Sequence, residues 1–368
     1  MFKREKRSGK NLWPALLLGA GSLTLIGASF APSVEHVTVV EGGGYFPVAI
    51  QLQSGEILAV LRGGGAHIGR AGRLDLVISP DQGRTWSKPW TAVDGPEDDR
   101  NPALGQLKDG TVLLAYAILS GYMEDGLRLP PKREERVFDG VYIMRSKDKG
   151  KTWTKPVRDP SIYSFYMGRG AVSPYGKIIQ LKDGTVLMSV YFEFFDGRGN
   201  ESYIFRSRDG GKTWGEPSLV GRHFNETAVL ELADGTLLAA MRSEPGGHIA
   251  ATHSKDAGKT WSPPFRVTED EEHPADLILL SNGNVLMTYG ERNAPMGARA
   301  VVSRDGGKTW DMDHMVVLSQ KASNTDCGYP SSVEVAPGQI VSLYYQVDDL
   351  GNAPQSARCL AALWKVTE

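Results

Sequence analysis

Ser303-Arg-Asp-Gly-Gly-Lys-Thr-Trp310 recurs along the chain as Ser79-Pro-Asp-Gln-Gly-Arg-Thr-Trp86, Ser146-Lys-Asp-Lys-Gly-Lys-Thr-Trp153, Ser207-Arg-Asp-Gly-Gly-Lys-Thr-Trp214 and Ser254-Lys-Asp-Ala-Gly-Lys-Thr-Trp261. Five copies of S-x-D-x-G-x-T-W mark a repeat architecture. Each copy predicts a turn: Asp bonds its own backbone, Gly permits a positive φ, and Trp buries a large ring between layers. The box aspartates are 67, 61, 47 and 49 residues apart, the spacing of propeller blades joined by loops of unequal length. Five of the eight tryptophans lie in these boxes. A feature repeated in every blade reads as scaffold rather than as a sugar-stacking platform.

Working outward, a second repeat has six copies: Leu52-Gln-Ser-Gly55, Leu107-Lys-Asp-Gly110, Leu181-Lys-Asp-Gly184, Leu232-Ala-Asp-Gly235, Leu280-Ser-Asn-Gly283 and Val335-Ala-Pro-Gly338. Each precedes an apolar strand, and Asp-Gly or Asn-Gly between apolar runs is a strong hairpin signal. The expected fold is all-β, a six-bladed β-propeller of four-stranded antiparallel blades. The last blade lacks a Trp box. The early strand Glu35–Val40 is expected to pair into it, closing the ring and removing an exposed edge.

The composition agrees, with 43 Gly, 21 Pro and 41% hydrophobic residues in 368, a mix suited to short strands and tight turns. A net charge of −2 offers no basic footprint for nucleic acid. Lys3, Arg4, Lys6, Arg7 and Lys10 precede an apolar run from Leu12 to Ala31, with small residues at Ser29 and Ala31. Residues 1–31 therefore read as a signal peptide, with an uncleaved anchor as the alternative, and 32–368 as the propeller. Export to the periplasm or the medium follows from that reading. Loss of residues 1–31 would leave a net charge of −6. Cys327 and Cys359 can be read as a pair or as two buried thiols.

Equal offsets from the hairpin glycines should mark equivalent places in each blade. Nine residues before them stand Phe46, Asn101, Tyr175, Glu226, Pro274 and Tyr329; seven after them stand Arg62, Ala117, Tyr191, Arg242, Gly290 and Tyr345. Both sets should ring one mouth of the central channel. Glu226, Tyr329 and the register-matched Arg62 and Arg242, with Arg292 and Arg299 nearby, suggest a site for an anionic ligand.

The Trp boxes resemble the Asp-boxes of the sialidase (neuraminidase) superfamily. Asn225-Glu-Thr-Ala-Val-Leu-Glu-Leu232 with Ala240-Met-Arg-Ser243 resembles the segment carrying a catalytic Glu and a carboxylate-binding Arg. Asp326-Cys-Gly-Tyr-Pro-Ser-Ser332 resembles the segment of the Tyr nucleophile, and Arg73-Leu-Asp-Leu76 that of the acid/base Asp. The resemblance implies retaining hydrolysis of a terminal sialic acid: Tyr329 attacks, Glu226 takes its proton, and Asp75 protonates the leaving oxygen. A phenol avoids the repulsion a carboxylate nucleophile would meet at a carbon that bears a carboxylate. Arg242 and one of Arg292 and Arg299 would clamp that carboxylate, with Arg62, which shares the offset of Arg242, expected to replace the family's first arginine. The implied partner is a glycan or glycoconjugate with an acidic terminal sugar; no cofactor and no metal is implied. The pattern departs at Gly44-Tyr-Phe-Pro47, where the family has an arginine and this chain has Phe46, and at Asn101, where an Asp is usual.

The glycine-rich Gly63-Gly-Gly-Ala-His67 either presents His67 to the site or simply connects strands. The polar insertion from Gly121 to Asp139 is either a lid or a solvated loop. Two other functions stay open: cleavage of another acidic glycan by hydrolysis or elimination, and non-catalytic glycan binding.

Overall fold

The computed structural model describes residues 33–348 and 356–366. The signal-peptide reading of residues 1–31 falls outside them. Strand β1 is Glu35–Glu41. Five groups of four follow: β2–β5 (Tyr45–Gln51, Ile57–Gly63, Arg73–Ser79, Trp90–Val93), β6–β9 (Asp98–Gln106, Val112–Ser120, Val137–Ser146, Val157–Arg158), β10–β13 (Gly170–Gln180, Val186–Phe194, Gly199–Ser207, Gly215–Arg222), β14–β17 (Phe224–Glu231, Leu237–Ser243, Ile249–Ser254, Phe265–Arg266) and β18–β21 (Glu272–Leu279, Val285–Glu291, Gly297–Ser303, Val316–Ser319). Strands β22–β24 are Cys327–Ala336, Gln339–Val347 and Ala357–Lys365. Among the described residues one short α-helix, Pro160–Tyr166, is capped by the Asp159 carboxylate.

The first strands β2, β6, β10, β14, β18 and β22 pack on one another in succession, and β22 packs back on β2. The fold is thus all-β, a propeller-like ring of four-stranded sheets. Strand β1 pairs with β24, Glu35 opposite Leu363 and Glu41 opposite Arg358, so the chain start closes the last sheet. The expectation of six separate blades is not met. Four four-stranded sheets stand alone, and β6–β9 and β10–β13 share one eight-stranded sheet. They join by a short parallel pairing, Gly176 with Ala103 and Lys177 with Leu104. Gly105 explains it: a Cβ there would lie 2.1 Å from the Ile178 carbonyl oxygen. Only a residue without a side chain lets β10 approach the β6 backbone so closely.

Apolar side chains fill the layers between neighbouring sheets, as where Val48, Leu58 and Leu76 meet Leu104, Leu114 and Tyr116. The Trp boxes pin the turns between third and fourth strands. In the first box Asp81 accepts from the Thr85 amide at 2.9 Å and the Thr85 hydroxyl at 2.7 Å, and Ser79 Oγ accepts from the Gly83 amide at 2.8 Å. The indole of Trp86 donates to the Gly83 carbonyl at 3.0 Å. Gly83, at φ 85°, leaves room for Val341 of the adjoining sheet, 2.8 Å from where a Cβ would stand. Cys327 and Cys359 are both buried and unbridged.

The boxes predict an acid limit. Hydrogen bonds from the Thr152 hydroxyl, then the Thr152 amide, lower the Asp148 carboxyl from 3.8 to about 2. Burial raises the Asp305 carboxyl, but bonds from Thr309, Ser303 and Lys308 together outweigh it and bring it to about 2. A carboxyl with a depressed folded pKa binds its proton more weakly when folded. Its stabilisation is present above the ordinary aspartate value and is lost as pH falls towards 2. The melting temperature should fall across that window, and Asp148→Asn should flatten its share of the slope.

Candidate active site

The mouth of the ring is built from bulges in the first strands. Pairing slips between Tyr45 and Val48, Arg100 and Ala103, and Gly328 and Ser331. Within these bulges Phe46, Asn101 and Tyr329 hold positive φ values of 52°, 50° and 49°. A non-glycine residue in that region is strained, and such strain gathers at functional sites. Here it turns three side chains from different sheets towards one axis. The cleft they line, of about 240 Å³, also includes Glu226, Arg242 and His67.

Tyr329 and Glu226 meet directly. The Tyr329 hydroxyl donates to Glu226 Oε1 at 2.6 Å, across 103 positions of sequence. Arg242 Nη1 donates to Glu226 Oε2 at 2.9 Å and lies 3.5 Å from the Tyr329 hydroxyl. Arg292 stands over the Tyr329 ring, 5.7 Å from its centroid. Burial, then the Glu226 charge, pushes the Tyr329 phenol well above its ordinary value, so it stays protonated at neutral pH. Burial disfavours the Arg242 cation, yet Glu226 outweighs it and raises the guanidinium pKa. A phenol needs a base in contact to become a nucleophile, and Glu226 is the carboxylate in contact with this one. The Nε atoms of Arg242 and Arg292 are buried without a hydrogen-bond partner.

Asn101 belongs to the mouth. Its Nδ2 donates to the Tyr191 hydroxyl at 2.9 Å and to Ser173 Oγ at 3.1 Å. His67 lines the same cleft, its Nδ1 bonded to Asp326 Oδ1 at 2.8 Å.

Three expected site residues stand elsewhere. Arg62 shares the register of Arg242 but is fully buried. Its guanidinium pairs with Asp98 at 2.7 Å and donates to the Gly69 carbonyl at 2.9 Å, and also to that of Ala66. The glycine-rich loop wraps this group; at Gly72 a Cβ would fall 1.9 Å from Asp98 Oδ1. Arg62 thus holds a loop and does not replace the missing arginine. Asp75 lies in β4, a third strand set back from the axis, where it accepts from Arg73 Nε at 3.0 Å and Thr91 Oγ1 at 2.8 Å. Its acid/base assignment does not fit that position. Arg299 donates to the carbonyls of Ser319 and Pro295, away from Tyr329, so Arg292 is the arginine of that pair at the site.

Arg100, adjacent to Asn101, was passed over by register and lines the cleft. Its guanidinium bonds Asp98 at 3.1 Å and stands 5.9 Å from the Phe46 ring centroid. A bulge sets two residues against one, so 100 and 101 both reach the mouth. Phe46 itself fills the floor, its ring 4.9 Å from that of Tyr329. The insertion after Gly121 closes one side: Arg133 lines the cleft and pairs with Glu193, and the Tyr122 hydroxyl donates to Asp98 at 2.6 Å.

A ring of Trp-box sheets with a Tyr–Glu–Arg cluster at its mouth defines a class, and the comparisons agree. Residues 96–341 match the BNR repeat-like domain, and the chain belongs to that family within the sialidase superfamily. A sialidase of Bacteroides fragilis is 29% identical over 230 residues, 56% of this chain and 39% of that protein. An exo-alpha-sialidase of Arthroderma benhamiae is 25% identical over 232 residues, 58% of this chain and 54% of that one. The chain thus matches about half or less of the length of these relatives. A protein of unknown function from Dyadobacter fermentans superposes with a TM-score of 0.76 at 27% identity, covering 91% of this chain and 99% of that structure.

Proposed function

We propose that the chain is a retaining exo-glycosidase that removes a terminal acidic sugar, sialic acid first among the candidates. The observation that carries this is the 2.6 Å hydrogen bond from Tyr329 to Glu226 beneath Arg242. Tyr329 attacks the anomeric carbon as Glu226 takes the phenolic proton, and the glycosyl–tyrosine bond is then hydrolysed by water. Arg242 and Arg292, with Arg100 beside Phe46, receive the sugar carboxylate. Asn101 offers a polar contact to the ring substituents. The sialidase relatives support the reaction class. The eight-stranded sheet is read as two fused blades, which gives six in all. The basic and apolar start of the chain supports export, and a periplasmic or extracellular glycan as substrate.

Phe46 favours a second reading. An apolar ring where the family carries an arginine suits another acidic glycan, cleaved by hydrolysis or elimination, or glycan binding without catalysis. A panel of fluorogenic sialoside, glucuronide and galacturonide separates these. Turnover of the sialoside alone is expected. Glucuronide turnover without sialoside turnover would favour the second reading, and a folded protein inert on all three would exclude both enzymatic readings for these sugars.

A further inference from the structure

With Asp75 set back in β4, the leaving-group side of the cleft needs another proton carrier. Among the described residues lining it, Glu193 is engaged by Arg133 and Glu244 lies 3.8 Å from Arg242. His67 remains. Its loop between β3 and β4 is anchored by Arg62, and its imidazole packs 5.0 Å from the Phe46 ring, which lies 4.9 Å from the Tyr329 ring. The imidazole and the phenol therefore flank one aromatic floor.

The partner of His67 orients its ring. Asp326 Oδ1 receives His67 Nδ1 at 2.8 Å and the Tyr345 hydroxyl at 2.7 Å. Burial disfavours the Asp326 charge, but the bond from His67 and the others hold its carboxyl below the ordinary range. An anionic acceptor keeps the proton on Nδ1 and turns Nε2 to exchange. Nε2 has no partner among the described residues, and the side chain is 34% exposed. Asp326 lies just ahead of β22, the strand that carries Tyr329, so one segment places the nucleophile and orients the acid.

We infer that His67, oriented by Asp326, is the general acid and base of the glycosidase reaction proposed above. In the first step Nε2–H gives its proton to the glycosidic oxygen as the bond from that oxygen to the anomeric carbon breaks. Tyr329 oxygen bonds the same carbon and its proton passes to Glu226. In the second, neutral Nε2 takes a proton from water, the hydroxide oxygen bonds the anomeric carbon, and Tyr329 leaves with the proton returned by Glu226.

The test is the dependence on leaving group, read as kcat/KM, which reports the first step. Full-length wild type and His67→Gln are compared on an aryl sialoside, whose phenolate departs without protonation, and on a sialyl-lactose-type disaccharide, whose sugar alkoxide does not. His67→Gln should lose about 10²-fold or more on the disaccharide and less than about tenfold on the aryl substrate, whose turnover also certifies the fold. Asp326→Asn, a positioning variant, should show the same split at smaller size. Equal losses on both substrates, or none, would overturn the assignment while leaving the glycosidase reading intact. A folded wild type inert on both would overturn the two together.

Discussion

Tyr329→Phe is expected to lower kcat/KM on a sialoside by about 10³-fold or more, because it deletes the hydroxyl that the proposed reaction bonds to the sugar. The change removes one hydroxyl and retains the ring. The packing of that ring against Phe46 survives, and Glu226 keeps its contact with Arg242. Stability should therefore move little, and the melting temperature of the variant distinguishes lost chemistry from lost fold. Activity within tenfold of wild type would remove Tyr329 from the reaction.

Arg242→Ala should cost nearly as much and for a different reason. Arg242 is the cation in contact with the buried Glu226 carboxylate at 2.9 Å. Without it the Glu226 carboxylate is left buried beside the phenol without the cation now in contact with it, and removing one partner of a buried pair is costly. On the proposed function the substrate carboxylate also loses a desolvated donor. Truncating such a charged contact costs about 2–5 kcal/mol, or roughly 30-fold to several thousand-fold in kcat/KM. Arg242→Lys should recover only part of it, since one ammonium cannot serve Glu226 and a second carboxylate with a planar fork. Kinetics and a thermal melt on both variants check this; wild-type activity in Arg242→Ala would exclude it from carboxylate binding.

The scaffold was legible because its signals are local. Each Trp box carries its own acceptor, turn glycine and ring within eight residues, and the hairpin glycines repeat at the same place in each sheet. That register also brought Glu226, Tyr329, Arg242 and Asn101 to one mouth. It failed where neighbours distant in sequence decide a side chain's direction. Arg62 has the offset of Arg242, yet Asp98, from the next sheet, and the carbonyls of the intervening loop draw it inward. Asp75 lies in a segment that matches the family's, but such a match says nothing of how far a third strand stands from the axis. Arg100 was missed because a bulge breaks the alternation on which offset counting rests. The contact of His67 with Asp326 spans 259 positions, and no spacing rule reaches that far. The fused sheet followed from a single glycine, Gly105, whose closeness to Ile178 has no signature in the hairpin pattern.

The central claim is that Tyr329 becomes covalently bonded to the sugar. A fluorinated sialosyl fluoride, whose ring fluorine slows both steps while the departing fluoride keeps the first one fast, should trap that bond. Intact mass and peptide mapping after incubation should show one added sialosyl unit on the peptide carrying Tyr329, absent from Tyr329→Phe. Turnover of the sialoside with the adduct on another residue, or with inversion at the anomeric carbon and no adduct, would contradict the account.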